Sequence, residues 1–289
     1  MNREQWKRWA VDLTPPVLLP TAKRLARGRR PPPLPEWEYV PEAWARDRGD
    51  LRGWNDPSVL EAYRTKLDAF RTTLADAGPL AYRSSAELDL GAPSVDEQNT
   101  TLIFAYALFQ ATRGRNRVSV LDWGGGLGAH AFVARTVLPA EVELDYHCKE
   151  VPRIAEYGRR EVPEVTFWDD ESCLDRTYDL VVASSSLQYC EDWPVLLGRL
   201  AGASRDALLL SRVPIVRQHA SFVVLQRAHH YRFDTEYLGW VFNRQDLLDV
   251  ATESGVQLTR EFVVGFRPDV VGAPEQDELW AYLFRRGDA

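Results

Sequence analysis

The chain has 289 residues, 45% of them hydrophobic, with a net charge of −7 and a pI near 5.4. That is enough apolar sequence for one α/β domain with added segments, and the acidic balance argues against a general nucleic-acid binder, whose footprint is basic. Cys148, Cys173 and Cys190 are too few and too scattered for a disulfide framework or a zinc site. No apolar run reaches the roughly 20 residues of a membrane span, and no signal-peptide pattern opens the chain, so a reducing, cytoplasmic compartment is expected.

Residues 1–35 read as a basic amphipathic arm running from Trp6-Lys7-Arg8-Trp9 to Arg30, closed by the stiff run Pro31-Pro32-Pro33. Basic residues interleaved with Trp and Leu suit an anionic interface, so one expectation is a weak contact of residues 1–30 with the inner membrane surface. The other is an arm packed on its own domain. Residues 36–115 read as a helical extension. Pro57 to Ala77 carries apolar residues at helical spacing behind an Asp56-Pro57 start, and Val95 to Thr112 follows the capping pair Ser94 and Glu97 and ends at Gly114.

Residues 116–289 read as the nucleotide-binding domain. Short apolar runs at Val118–Leu121, Val142–Tyr146, Val165–Trp168, Leu180–Ala183 and Ala207–Leu210 alternate with helical stretches, the mark of a parallel sheet covered on both faces. Two more strands, at Leu258–Gly265 and Trp280–Arg285, suggest a terminal antiparallel pair. The fold class is therefore α/β: a Rossmann-like, mostly parallel sheet of seven strands with one terminal antiparallel strand. The stretch from Pro214 to Trp240 reads as a long loop.

The first strand runs into Asp122-Trp123-Gly124-Gly125-Gly126-Leu127-Gly128-Ala129. Glycines let the backbone approach a ligand closely, and the helix that follows offers unpaired N–H groups. Gly124, Gly126 and Ala129 also satisfy the dinucleotide pattern, so the loop alone does not choose a cofactor. Asp122 does: a carboxylate repels a pyrophosphate and suits the ammonium of S-adenosylmethionine. Glu150, just after the second strand, is placed to accept both ribose hydroxyls. After the third strand, Trp168 can stack on an adenine and Asp169 or Asp170 can accept from its amine. Ser184, Ser185, Gln188 and Tyr189, after the fourth strand, face the crevice where such sheets bind ligands.

The segments Asp122 to Gly125, Glu150-Val151-Pro152 and Ser185 to Tyr189 resemble a bacterial family of class I S-adenosylmethionine-dependent methyltransferases associated with polysaccharide (O-antigen or capsule) gene sets. Trp37-Glu38, Asn55-Asp56-Pro57 and Trp240-Val241-Phe242-Asn243 are similar to it too. The chain departs at Lys149, where an apolar residue is expected, and at Ala129-His130. The resemblance implies the fold and the cofactor and does not identify an acceptor; a sugar hydroxyl of a glycan precursor is the expectation chosen on its basis, with a secondary metabolite as the runner-up. The expected chemistry is metal-independent methyl transfer to oxygen, less so to nitrogen. The rival readings are an NAD-dependent oxidoreductase and a non-catalytic cofactor-binding partner protein. For the base, His219, His229 and His230 after the fifth strand are the expected candidates, with Tyr189 next, because histidine titrates near neutrality. His130 and His147 are expected to lie on the cofactor side.

Overall fold

The computed structural model describes residues 34–44, 51, 53–75, 80, 94–228 and 233–287. The basic arm, His229 and His230 lie outside the described residues. Residues 35–289 form one compact unit.

The chain enters through a short strand, β1 (Trp37–Val40), and two helices, α1 (Pro57–Ala75) and α2 (Val95–Thr112). Asp56 starts α1 by accepting from the Ser58 N–H at 2.9 Å. The Glu97 carboxylate accepts from the Ser94 N–H at 3.4 Å at the head of α2. From residue 117 strand and helix alternate: β2 (Arg117–Trp123), α3 (Ala129–Val137), β3 (Glu143–Lys149), α4 (Pro152–Glu161), β4 (Thr166–Trp168), β5 (Tyr178–Ser184), α5 (Trp193–Ala203) and β6 (Ser204–Val216). These five strands pair in parallel in the order β4-β3-β2-β5-β6.

The chain then makes β7 (Phe222–Arg227), β8 (Glu236–Asn243), α6 (Arg244–Glu253), β9 (Val256–Val263), β10 (Val270–Val271) and β11 (Glu278–Arg286). β11 inserts antiparallel between β6 and β9, which completes a seven-stranded sheet with its last strand reversed. This is the architecture expected from the apolar runs. Alternate residues of the central strands face opposite layers. Val118, Val120, Leu180, Val182, Ala207 and Leu209 pack against α2 and α3. Leu121, Val181, Ala183, Leu208 and Leu210 pack against α5 and α6. Strands covered on both faces need continuous apolar runs, which is why those runs were visible in the sequence.

The stretch from Pro214 to Trp240 is not a loop. It holds the end of β6 and the hairpin β7–β8, which pairs with β1 and, through it, β10. β6 reaches this second layer because Ser211 and Arg212 stand opposite the single residue Ala281 of β11, between the pairs Leu210–Tyr282 and Val213–Trp280. Arg212 has a φ of +53°. Such a bulge bends and re-aims a strand, here so that Ile215 and Val216 pair with Phe242 and Asn243 of β8 while Ile215 stays opposite Glu278 of β11. The small sheet thereby stands over the carboxyl ends of β2, β5 and β6.

Candidate active site

The glycine loop is built around one buried carboxylate. Asp122, at the end of β2, has no exposed surface. Its Oδ2 accepts from the Tyr146 hydroxyl at 2.8 Å and lies 3.1 Å from His130 Nδ1. Its Oδ1 has no protein partner, and the residue lines the cavity between the glycine loop and the small sheet, the main cavity of this site. Gly125 has to be glycine because a Cβ there would lie 2.5 Å from the Asp122 carboxyl carbon and 2.9 Å from Cys148 Sγ. At Gly126 a Cβ meets only the Tyr63 ring at 3.2 Å, and the constraint is its φ of +60°. Gly124 and Gly128 also have positive φ, and Gly128 caps α3.

Glu150 follows β3 and is buried. Its two oxygens accept from the Gly126 N–H at 2.9 Å and the Val151 N–H at 2.8 Å. Burial pushes its pKa above the ordinary value, against the pull of those two amides and of Lys149. Each carboxylate oxygen keeps a second acceptor site. Glu150 lines a second cavity with Lys149, Trp123, Gly124 and Ser185. Lys149, the departure from the family pattern, places its ammonium 4.7 Å from the Trp123 ring centroid.

The two cavities share Trp54, Tyr63, Gly124, Ser185 and Tyr189 along their walls. Ser184, Ser185 and Gln188 line the main cavity, as their place after β5 predicts. Ser185 has a φ of +52°, and the Gln188 amide donates to Ser185 Oγ at 3.2 Å and to the Arg212 carbonyl at 3.5 Å. Strained backbone thus sits just after β5 and at the bulge within β6, and both residues line the same space. The Tyr189 hydroxyl donates to Gln226 Oε1 at 2.9 Å, and its ring packs edge-on against Trp54 and Tyr237, which stack at 4.3 Å.

Other expected residues fall elsewhere. Trp168 donates its indole N–H to His147 Nδ1 at 3.1 Å, Asp169 pairs with Arg159 at 2.9 Å, and Asp170 caps the short turn of helix at Glu171–Asp175 through the Ser172 N–H. None of the three, nor Gly128, lines either cavity. His219 is exposed in the turn after β6, where its N–H donates to Glu275 at 2.7 Å, and it lines neither cavity. Its chain position after β6 suggested the crevice; the bulge at Arg212 carries the chain past it. His130, in contrast, lines the cavity and stacks on Phe104 at 4.5 Å. The sequence reading gave no role to Trp54, Lys66, Gln226, Tyr237 or Asp277, which also line it. The aromatic clustering was detectable as composition but not as contact, because Trp54 and Tyr237 are remote in sequence.

The donor set fits S-adenosylmethionine. The open Oδ1 of Asp122 can accept from an ammonium, and the Glu150 carboxylate, in the adjoining cavity, can accept from ribose hydroxyls. Among the described residues no group of three or more His, Cys, Asp or Glu is placed to hold a metal ion, and no helix is long and apolar enough to cross a membrane.

Solved structures similar to the chain include magnesium protoporphyrin IX methyltransferase from Synechocystis PCC 6803 with bound S-adenosylhomocysteine (12% identity, 79% of this chain and 98% of that chain, TM-score 0.48). Another is an S-adenosylmethionine-dependent methyltransferase from Clostridium acetobutylicum (9% identity, 65% and 92%, TM-score 0.45). A third is 1,6-didemethyltoxoflavin-N1-methyltransferase from Burkholderia thailandensis (14% identity, 80% and 88%, TM-score 0.44). No curated protein matches the chain in sequence. A family model described as a methyltransferase domain matches residues 95–261, more than half of the chain and the span from α2 through the glycine loop into β9, and the protein belongs to that family of S-adenosylmethionine-dependent methyltransferases.

Proposed function

We propose that the enzyme methylates a hydroxyl oxygen of a small or glycan acceptor held in the main cavity, under the sheet formed by β1, β7, β8 and β10. The observation that carries this reading is the continuity of the lining. The residues assigned to the cofactor, Asp122, Gly124, Gly125 and Ser185, border the same space as the rings of Trp54, Phe233, Tyr237 and Trp240. Aromatic walls offer flat apolar contact to a sugar face or a ring system. Buried polar groups between them, Gln226 and Lys66 among others, can fix its orientation.

S-adenosylmethionine supplies an activated methyl group at a sulfonium centre. The protein's contribution is alignment: Asp122 and Glu150 fix the methionine and ribose parts of the cofactor, while the aromatic walls hold the acceptor and keep water out. A sugar hydroxyl of a glycan precursor is the acceptor that the family resemblance favours, and the hydroxyl of a secondary metabolite the alternative. Incubation with labelled S-adenosylmethionine and a panel of 4-nitrophenyl glycosides, phenols and aryl amines tests this. Label on glycosides or phenols supports the reading, and label on amines alone would overturn the choice of oxygen.

A further inference from the structure

The turn between β10 and β11 carries four consecutive polar side chains, Glu275, Gln276, Asp277 and Glu278, and the structure uses three of them to clamp it. Glu275 accepts from the backbone N–H groups of Arg217, Gln218 and His219. Gln276 exchanges two hydrogen bonds with the backbone of Val270, at 3.0 and 2.9 Å. Glu278 pairs with Arg267 at 3.1 Å. Asp277 is the exception. It is 2% exposed, neither of its carboxylate oxygens has a partner, and it lines the main cavity.

A buried carboxylate without a donor is costly, and native proteins keep such groups chiefly where a ligand completes them. The position is a built one. β11 runs antiparallel to β6 with Glu278 opposite Ile215, so Asp277 arrives at the carboxyl edge of the sheet, the edge that also presents Asp122. Leu279 anchors the turn on the inner side by donating its N–H to Phe266 at 2.9 Å. The other charged or titratable side chains lining this cavity are Lys66, Glu97, Asp122, His130, Arg212 and the tyrosines 63, 189 and 237. Of these, His130 is stacked on Phe104 beside Asp122, Arg212 faces Asp96 at 3.5 Å, and Tyr189 donates to Gln226.

We propose that Asp277 is a catalytic residue of this enzyme: it accepts the hydrogen bond of the acceptor hydroxyl and takes up its proton during transfer. This rests on the hydroxyl-acceptor reading above. As the acceptor O–H bond breaks, its proton passes to Asp277, and the freed oxygen pair forms the new C–O bond to the methyl group. The pair of the breaking carbon–sulfur bond stays with sulfur. Asp277 then returns the proton to solvent. Burial raises its pKa to about 7. A base of that strength is about half ionised at neutral pH and close in affinity to the medium, which is the useful range.

The test compares the full-length protein with Asp277→Asn in three measurements. The first is thermal stability without ligand. The Asp277 pKa is higher in the folded chain than in the unfolded one, so its ionisation costs stability as pH rises from about 4 to about 7. Asp277→Asn should therefore raise Tm by at least about 2 °C at pH 8.5 and by less at pH 5. The second is calorimetry with S-adenosylhomocysteine, whose affinity should stay within about twofold. The third is methyl transfer to the 4-nitrophenyl glycosides and phenols, where kcat should fall by at least about 100-fold and the rise of kcat/KM through pH 7 should disappear. A Tm lowered by Asp277→Asn at pH 8.5 marks a structural carboxylate, and lost S-adenosylhomocysteine affinity marks a cofactor ligand. Either result, or a kcat within about threefold of wild type, overturns the proposal. If wild type methylates none of these probes, the acceptor reading fails, while the first two measurements still decide whether Asp277 stands free in the cavity.

Discussion

The Tyr146 hydroxyl donates to one oxygen of Asp122 at 2.8 Å and leaves the other facing the cavity. β2 and β3 run parallel with Val120 opposite Tyr146, so the second strand supplies the donor that holds the carboxylate of the first. Both the burial of Tyr146 and the nearby charge of Asp122 push the phenol's pKa far above its usual value, so it remains a donor across the working range. Tyr146→Phe should lower stability by about 1–3 kcal/mol, since it strips a donor from a buried carboxylate. It should weaken S-adenosylhomocysteine binding by less than about tenfold, because Oδ1 is untouched. Chemical denaturation and calorimetry check the two halves, and a variant as stable as wild type would show that the bond holds nothing in place.

Gly125 and Gly126 should respond differently to substitution. Gly125→Ala drives a Cβ into the Asp122 carboxyl and Cys148 Sγ, both in the packed interior. It should destabilise the fold by about 1–3 kcal/mol and abolish cofactor binding. Gly126→Ala meets only the edge of Tyr63 and pays chiefly for its positive φ, about 1–2 kcal/mol. Cofactor titrations on both variants should rank Gly125→Ala as the worse binder; the opposite order would place the close approach at Gly126.

Glu150 gives the site a pH dependence with a definite sign. Its folded-state pKa lies above the ordinary 4.5, so the folded protein takes up its proton first as pH falls. Charge-assisted bonds to a ribose then weaken on acidification, beginning above pH 4.5. Glu150→Ala should weaken binding of S-adenosylmethionine and S-adenosylhomocysteine alike by about 30-fold or more. Glu150→Gln should bind weakly with little change between pH 7 and pH 5. Wild-type affinity that does not fall as the pH is lowered through 4.5 would contradict this role.

Metal removal should leave catalysis intact. Among the described residues the cavities present separate carboxylates rather than a ligand cluster, and in-line transfer from a sulfonium needs no Lewis acid when the base is a side chain. Turnover measured with and without EDTA should agree within error; loss on chelation with recovery on adding magnesium would refute it.

The central strands, the loop at Asp122 and the caps of α1 and α2 were legible because each is a local pattern. Apolar runs report burial on both faces, and Ser94 and Glu97 report a helix start. The hairpin β7–β8 was not legible, although Phe222-Val223-Val224-Leu225 is an apolar run. It is framed by residues rich in Arg and His, and its strand partner, β1, lies some 180 residues earlier in the chain. Trp168, Asp169 and Asp170 were read from position alone, after the third strand; there Trp168 donates to His147, and Arg159 and Ser172 engage one oxygen each of Asp169 and Asp170. Asp277 left no local trace, since Pro274 to Glu278 has the composition of a solvated turn and its burial comes from β6, β10 and β11 together.

The most direct measurement is a calorimetric titration of the purified protein with S-adenosylhomocysteine and, separately, with NAD, repeated on Asp122→Ala and Glu150→Ala. The account predicts saturable one-to-one binding of S-adenosylhomocysteine, no binding of NAD, and affinity reduced by about 30-fold or more in each variant. Binding of NAD in place of S-adenosylhomocysteine, or S-adenosylhomocysteine affinity unchanged in both folded variants, would contradict it.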